Sequence, residues 1–89
     1  MKIRKSNFNV YADPGHAWLK VSKVNLLKMG IAFAISNSSY MRGGYAYLEE
    51  DCDATLFIKT LREMGIEPKF KYHYTDKRSK IRSYSYYRM

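Results

Sequence analysis

The groups able to do chemistry in this 89-residue chain are concentrated in a few places. From Lys69 to Met89 there are seven lysines or arginines, five tyrosines, Phe70 and one acid, Asp76. Cations threaded with aromatic rings suit a polyanion carrying flat bases, since the cations meet phosphates and the rings stack. The same pattern suits an edge strand that charge protects from pairing with another chain. A second concentration, Glu49-Glu50-Asp51-Cys52-Asp53, holds four of the eight acids. Carboxylate oxygens at that density could hold Mg²⁺. They also suit a helix start, where they accept free N–H groups and meet the positive end of the dipole. The helix-start reading is preferred, and charge balance against the basic tail is a third role. Asp13 near His16 is a pair of the kind that orients a general base, yet no nucleophile stands beside it. His73 alternates with tyrosines and is expected on the solvent face.

The elements that must position these groups follow from pattern. Phe8 to Ala12 alternates as a strand, Asp13-Pro14-Gly15-His16 reads as a turn with Gly15 at positive φ, and Ala17 to Val21 resumes the strand. Ser22 is the expected cap of a short helix over Lys23 to Met29, with Val24, Leu27 and Leu26 facing inward and Gly30 ending it. Residues 36–39 form a polar loop. A second hairpin runs from Tyr40 to Arg42, through Gly43-Gly44, to Tyr45 to Glu49. Asp51 or Asp53 then begins and caps a helix lined by Ala54, Phe57, Ile58, Leu61 and Met64 and stopped by Gly65 and Pro68. Lys69 to Tyr74 alternates as a half-buried strand, and Ile81 to Tyr87 offers a last one. The strings Met29-Gly30-Ile31 and Met64-Gly65-Ile66 leave both helices alike, a faint echo of two similar halves.

The order ββαββαβ predicts a single α+β domain over residues 1–89. Its expected architecture is an antiparallel sheet of hairpins with two helices packed on one face. Trp18 then falls on the open face, as a packing partner or a binding anchor, and Tyr45 and Tyr47 share a face in the same way. Nine tyrosines exceed what a core of this size needs, because each buried hydroxyl requires a partner. A formal net charge of +8 predicts an acidic partner. The longest apolar stretch, Ile31 to Ile35, is far short of a membrane span, and the Met-Lys-Ile-Arg-Lys start lacks a signal peptide's apolar run. A lone cysteine, Cys52, excludes an intrachain disulfide and a cysteine-based zinc site. No catalytic signature, cofactor motif or small-molecule site stands out.

Three strings carry a resemblance. They are Asp13-Pro14-Gly15-His16-Ala17-Trp18-Leu19-Lys20-Val21, Tyr45-Ala46-Tyr47-Leu48-Glu49-Glu50-Asp51-Cys52-Asp53-Ala54 and Ser79-Lys80-Ile81-Arg82-Ser83-Tyr84. They resemble small, functionally uncharacterised proteins encoded by tailed phages and prophages. The resemblance implies an accessory protein of the infected bacterial cytoplasm, and small phage proteins without enzymatic motifs often bind host machinery, including restriction and CRISPR defence complexes. The expectation is a non-enzymatic protein that binds and inhibits a host complex, a defence nucleoprotein, without cofactor, metal or membrane. Its charge would come from Lys69, Lys71, Lys77, Arg78, Lys80 and Arg82, and its anchors from Trp18, Tyr84 and Tyr86. Direct binding of DNA or RNA is the alternative, and a metal-dependent nuclease the third reading.

Overall fold

Alternating side chains and the Asp13–His16 turn build the first hairpin, β1 (Asn7–Ala12) against β2 (Ala17–Ser22), with Ala12 opposite Ala17. The computed structural model describes residues 6–89, so the signal-peptide reading of the start lies outside the described residues. Helix α1 (Lys23–Lys28) follows, then a 3-10 turn at Ala32–Ala34 and the second hairpin, β3 (Tyr40–Arg42) with β4 (Tyr45–Glu49). Helix α2 (Asp53–Glu63) leads to β5 (Lys69–Tyr74), a 3-10 turn at Lys80–Ser83 and the short β6 (Ser85–Tyr86). The fold is α+β, with one six-stranded sheet ordered β5-β1-β2-β4-β3-β6.

One pairing departs from the antiparallel expectation. β5 lies parallel to β1, with Phe8 opposite Phe70 and Tyr11 opposite His73, so the sheet is mixed. The cause is α2: β4 already runs in the direction of β1, and a helical crossover returns the chain in the same sense. A hairpin could not do so.

Both helices contribute to one core on one sheet face. Leu26 of α1 and Ala54, Phe57 and Leu61 of α2 pack with Phe8, Leu19, Val21, Ala46 and Leu48. Phe8 and Phe57 meet edge to face, centroids 5.2 Å apart, the geometry that aromatic quadrupoles favour. Two expectations for α1 fail. Val24 and Leu27 point outward, 55% and 51% exposed, because a helix of less than two turns buries one stripe and that stripe is Leu26 with Met29. Ser22 stands at the cap position, but its side chain makes no capping bond. On α2, Met64 at the last turn is 42% exposed, while the other expected positions face the core.

The Met-Gly-Ile echo has a local cause. Gly30 and Gly65 sit at φ 76° and 81°. The Gly30 N–H donates to Leu27 O and the Ile31 N–H to Leu26 O; Gly65 and Ile66 repeat this with Arg62 O and Leu61 O. Both are Schellman ends, whose left-handed residue favours glycine and whose following apolar residue packs back on the helix.

Candidate functional site

Neither α1 nor α2 covers the sheet's other face, and the tail, with its 3-10 turn, covers much of it. Ile81, 3% exposed, lies on Trp18 and Tyr47 with Tyr11, Tyr40 and Tyr84 around it, a second apolar cluster separate from the main core. Beyond it β6 pairs with β3, and Tyr87 turns into the main core, where its hydroxyl donates to Ala32 O at 2.6 Å. The tail is thus a strap, inserted at Ile81 and Tyr87.

Asp13 fastens the strap. Its carboxylate accepts the Gly15 and His16 N–H groups, forming the turn from inside. It also accepts the Ser79 N–H at 2.9 Å and a bidentate pair from Arg82, Nε at 2.7 Å and Nη2 at 2.8 Å. The Arg82 guanidinium beside it, with the Ser79 N–H, holds the Asp13 carboxyl far below the usual carboxylate range. Gly15 is not at positive φ, contrary to the turn expected. It is required for space: a Cβ there would stand 2.6 Å from Arg82 Nη2. The guanidinium also lies 5.3 Å from the centre of the Trp18 ring.

These contacts divide the expected site residues. Trp18, 2% exposed, packs beneath the strap, and a ring so enclosed cannot anchor a partner. Arg82 is committed to Asp13 and Trp18, so it is a structural cation rather than a solvated one. Tyr84 is half-buried, tilted on Tyr47 at 5.1 Å with the Arg42 guanidinium 5.2 Å from its centre. Tyr86, 65% exposed, stacks on Tyr40 at β6. Lys69, Lys71, Lys77, Arg78 and Lys80 are exposed, and none forms an ion pair among the described residues.

The tail residues adjacent in sequence are not adjacent on the surface. The cross-strand register runs Lys71–Asn9–Lys20–Tyr47–Tyr40–Tyr86 across all the strands. Lys71 and Tyr86 therefore lie at opposite edges, about 24 Å apart along a sheet with ~4.8 Å between strands. Residues Lys77, Arg78 and Lys80 begin the crossing at the β5 edge, and Tyr84 and Tyr86 end it at the β6 edge.

At the β5 edge a concavity of about 370 Å³ opens where β1 and β5 end, lined by Tyr11, His73, Tyr74, Lys77, Arg78 and Lys80 among others. Among the described residues no carboxylate lines it. His73 is half-buried and stacked on Tyr11, centroids 4.8 Å apart and planes at 16°. Its Nε2 lies 3.0 Å from Asn9 Oδ1, which fixes the ring plane. Tyr74 and Tyr72, expected to be half-buried, are 68% and 70% exposed, since β5 is an edge strand and α2 covers only Phe70 at its start. Uncompensated cations around oriented rings can bind an anion carrying an aromatic group.

The acidic run has a structural occupation. Asp53 is the first residue of α2 rather than its cap; Cys52 is at the cap position without a side-chain capping bond. The buried Asp53 carboxylate instead accepts the Ser36 N–H, the Ser36 hydroxyl and the Ser39 hydroxyl, pinning the 36–39 loop. Glu49 accepts the Asp51 N–H. No grouping of three metal-ligating side chains occurs among the described residues. The Asp53 charge pushes the exposed Cys52 thiol up, away from thiolate reactivity. His16 is exposed in its turn, tilted 6.0 Å from Trp18, while Asp13 is taken by Arg82. Among the described residues no helix is long and apolar enough to cross a membrane.

Tyr11 and His73 were missed as site residues. The signal was available: period two places His73 with Lys69 and Lys71 on one face of β5, and only the parallel pairing that sets Tyr11 beside it was hidden. No family model, curated protein or solved structure matches the chain.

Proposed function

We propose that this protein is a non-enzymatic phage accessory protein that binds a host defence nucleoprotein and inhibits it, through the basic-aromatic concavity at the β5 edge. The observation that carries the reading is the convergence of Lys77, Arg78 and Lys80 with Tyr11, His73 and Tyr74 on a surface no acid lines. Such a surface complements a polyanion and gains in association rate from steering. Lys69 and Lys71 extend the charge along β5, and the strap holds the cation-bearing segment against the sheet. The other expected anchors, Tyr84 and Tyr86, do not line this concavity and stand toward the β6 edge.

Direct binding of free DNA or RNA is the second reading, favoured by the stacked Tyr11–His73 pair, since every base offers a face for stacking. Affinity capture from a host lysate, with and without nuclease, separates the two. Inhibition of a nucleoprotein predicts capture of the same host protein complex in both samples, and loss of it with Lys77→Ser/Arg78→Ser/Lys80→Ser. Direct binding predicts nucleic acid alone, removed by nuclease. Equal capture by parent and triple variant overturns both.

A further inference from the structure

We infer that the concavity at the ends of β1 and β5 is a site for one unpaired nucleotide of a nucleic-acid strand, its base stacked on the outer face of His73 and its phosphates met by Lys77, Arg78 and Lys80. This rests on the reading above and deepens it, by making the nucleic acid itself the group touched.

Tyr11 and His73 are cross-strand partners, and their rings stack at 4.8 Å, the spacing of the strands that carry them. β5 has a neighbour on one side only. The face of His73 turned from Tyr11 therefore looks past the edge, and no other ring contacts it among the described residues. A base placed there continues the stack as a further member. The ring is already oriented, by Asn9 Oδ1 at 3.0 Å and by Tyr11 behind it, so little order remains to be imposed on binding.

The space and charge agree with that occupant. About 370 Å³ is within the range of small-ligand sites and too small for a folded element. Lys77, Arg78 and Lys80 rise from the strap on the same concavity, while the Ser79 N–H between them is tied to Asp13. The strap thus presents three cations from a segment held before them by the Thr75 N–H on Ala12 O, among them by Ser79 on Asp13, and after them by Ile81. An acidic peptide would satisfy the cations but leave the half-buried His73 ring unused. A duplex hides its base faces, so the site selects unpaired strands.

The test is fluorescence anisotropy of the full chain with a 5′-labelled ten-residue oligothymidylate, an abasic strand of equal length and polyglutamate. The parent should prefer the thymidylate. His73→Ala should weaken that binding by about 5- to 150-fold, the range for loss of one stacked base, and should leave abasic binding unchanged. His73→Phe, which keeps a stacking face without the bond to Asn9, should retain most of the affinity. Lys77→Ser/Arg78→Ser/Lys80→Ser should weaken both strands and flatten the log-affinity against log-salt slope by about 2, at ~0.7 per phosphate contact. Melting curves establish that each variant is folded. Equal affinity for abasic and base-bearing strands, no effect of His73→Ala, equal binding of polyglutamate, or no binding of any strand at low salt would each overturn the inference. A host complex still captured by the parent and lost by the triple variant would then leave the broader proposal standing.

Discussion

Ile81→Ala separates a strap from a free basic tail. Ile81 is 3% exposed and lies among Trp18, Tyr47 and the half-buried Tyr11, Tyr40 and Tyr84. The substitution removes three carbon atoms, which at ~0.8 kcal/mol per buried methylene is about 2.4 kcal/mol before any cavity is counted. Isoleucine-to-alanine changes in cores cost ~2–5 kcal/mol, depending on how far the site collapses. Ile81 is carried by a single surface segment that can settle onto the sheet, so a loss of about 2–3 kcal/mol, at the low end of that range, is expected. A domain of this length holds roughly 4–13 kcal/mol in all. The expected fall in melting temperature is about 10–20 °C, at ~4–8 °C per kcal/mol. Urea denaturation followed by circular dichroism measures the loss in free energy, with the exposed neighbour Lys80→Ala as control, expected within about 0.5 kcal/mol of the parent. Coincident curves for Ile81→Ala and Lys80→Ala would refute the strap and return the tail to a solvated segment.

Asp13→Asn should lower the melting temperature at pH 7 and flatten the acid limb. The folded carboxyl titrates below its unfolded range, so the stability it contributes is present above that range and lost as pH falls through and beneath it; equal slopes for parent and variant between about pH 5 and pH 2 would contradict this. Gly15→Ala should destabilise the parent by pushing Arg82 from Asp13. In an Arg82→Ala background the same change should be neutral or stabilising by about 0.4–1 kcal/mol, because the position lacks positive φ and alanine restricts the unfolded chain; an undiminished cost there would refute the proximity argument. Asp53→Ala should cost about 2–4 kcal/mol in urea denaturation, more than a lost cap, because it leaves the Ser36 N–H and the hydrogen of the buried Ser39 hydroxyl, whose oxygen keeps the Glu49 N–H, without an acceptor at ~1–3 kcal/mol each. A loss under about 1 kcal/mol would show that the loop finds other partners.

What could be read from sequence was local. The two hairpins, α2 with all of its expected inward face but Met64, and the β5 strand follow from short-range periodicity and turn residues, and each element stands where expected, though the β5 alternation wrongly half-buries Tyr72 and Tyr74. What could not be read depends on residues far apart in the chain. Asp13 and Arg82 are separated by 69 positions, and nothing around either residue names the other. Arg82 was therefore read as a partner-binding charge and Ile81 as the start of a last strand, although both are fixtures of the second face. The parallel pairing of β5 with β1 is likewise a consequence of topology, and it alone brings His73 to Tyr11. Asp53 misled for a different reason: an acid at a helix start is usually a cap, and here three donors from the 36–39 loop compete successfully for its oxygens.

The claim that binding is local to the β5 edge, rather than a property of net charge, is tested most directly by two variants of equal charge. Lys77→Ser/Arg78→Ser and Lys28→Ser/Lys59→Ser each remove two exposed cations, the first pair at the concavity and the second on the helices. Equilibrium binding of each to the captured host complex, at one fixed ionic strength, is the measurement. A loss of about tenfold or more, ~1.4 kcal/mol, for the first with less than about twofold for the second is the expected result. Equal losses for the two would contradict it and reduce the surface to a diffuse positive charge.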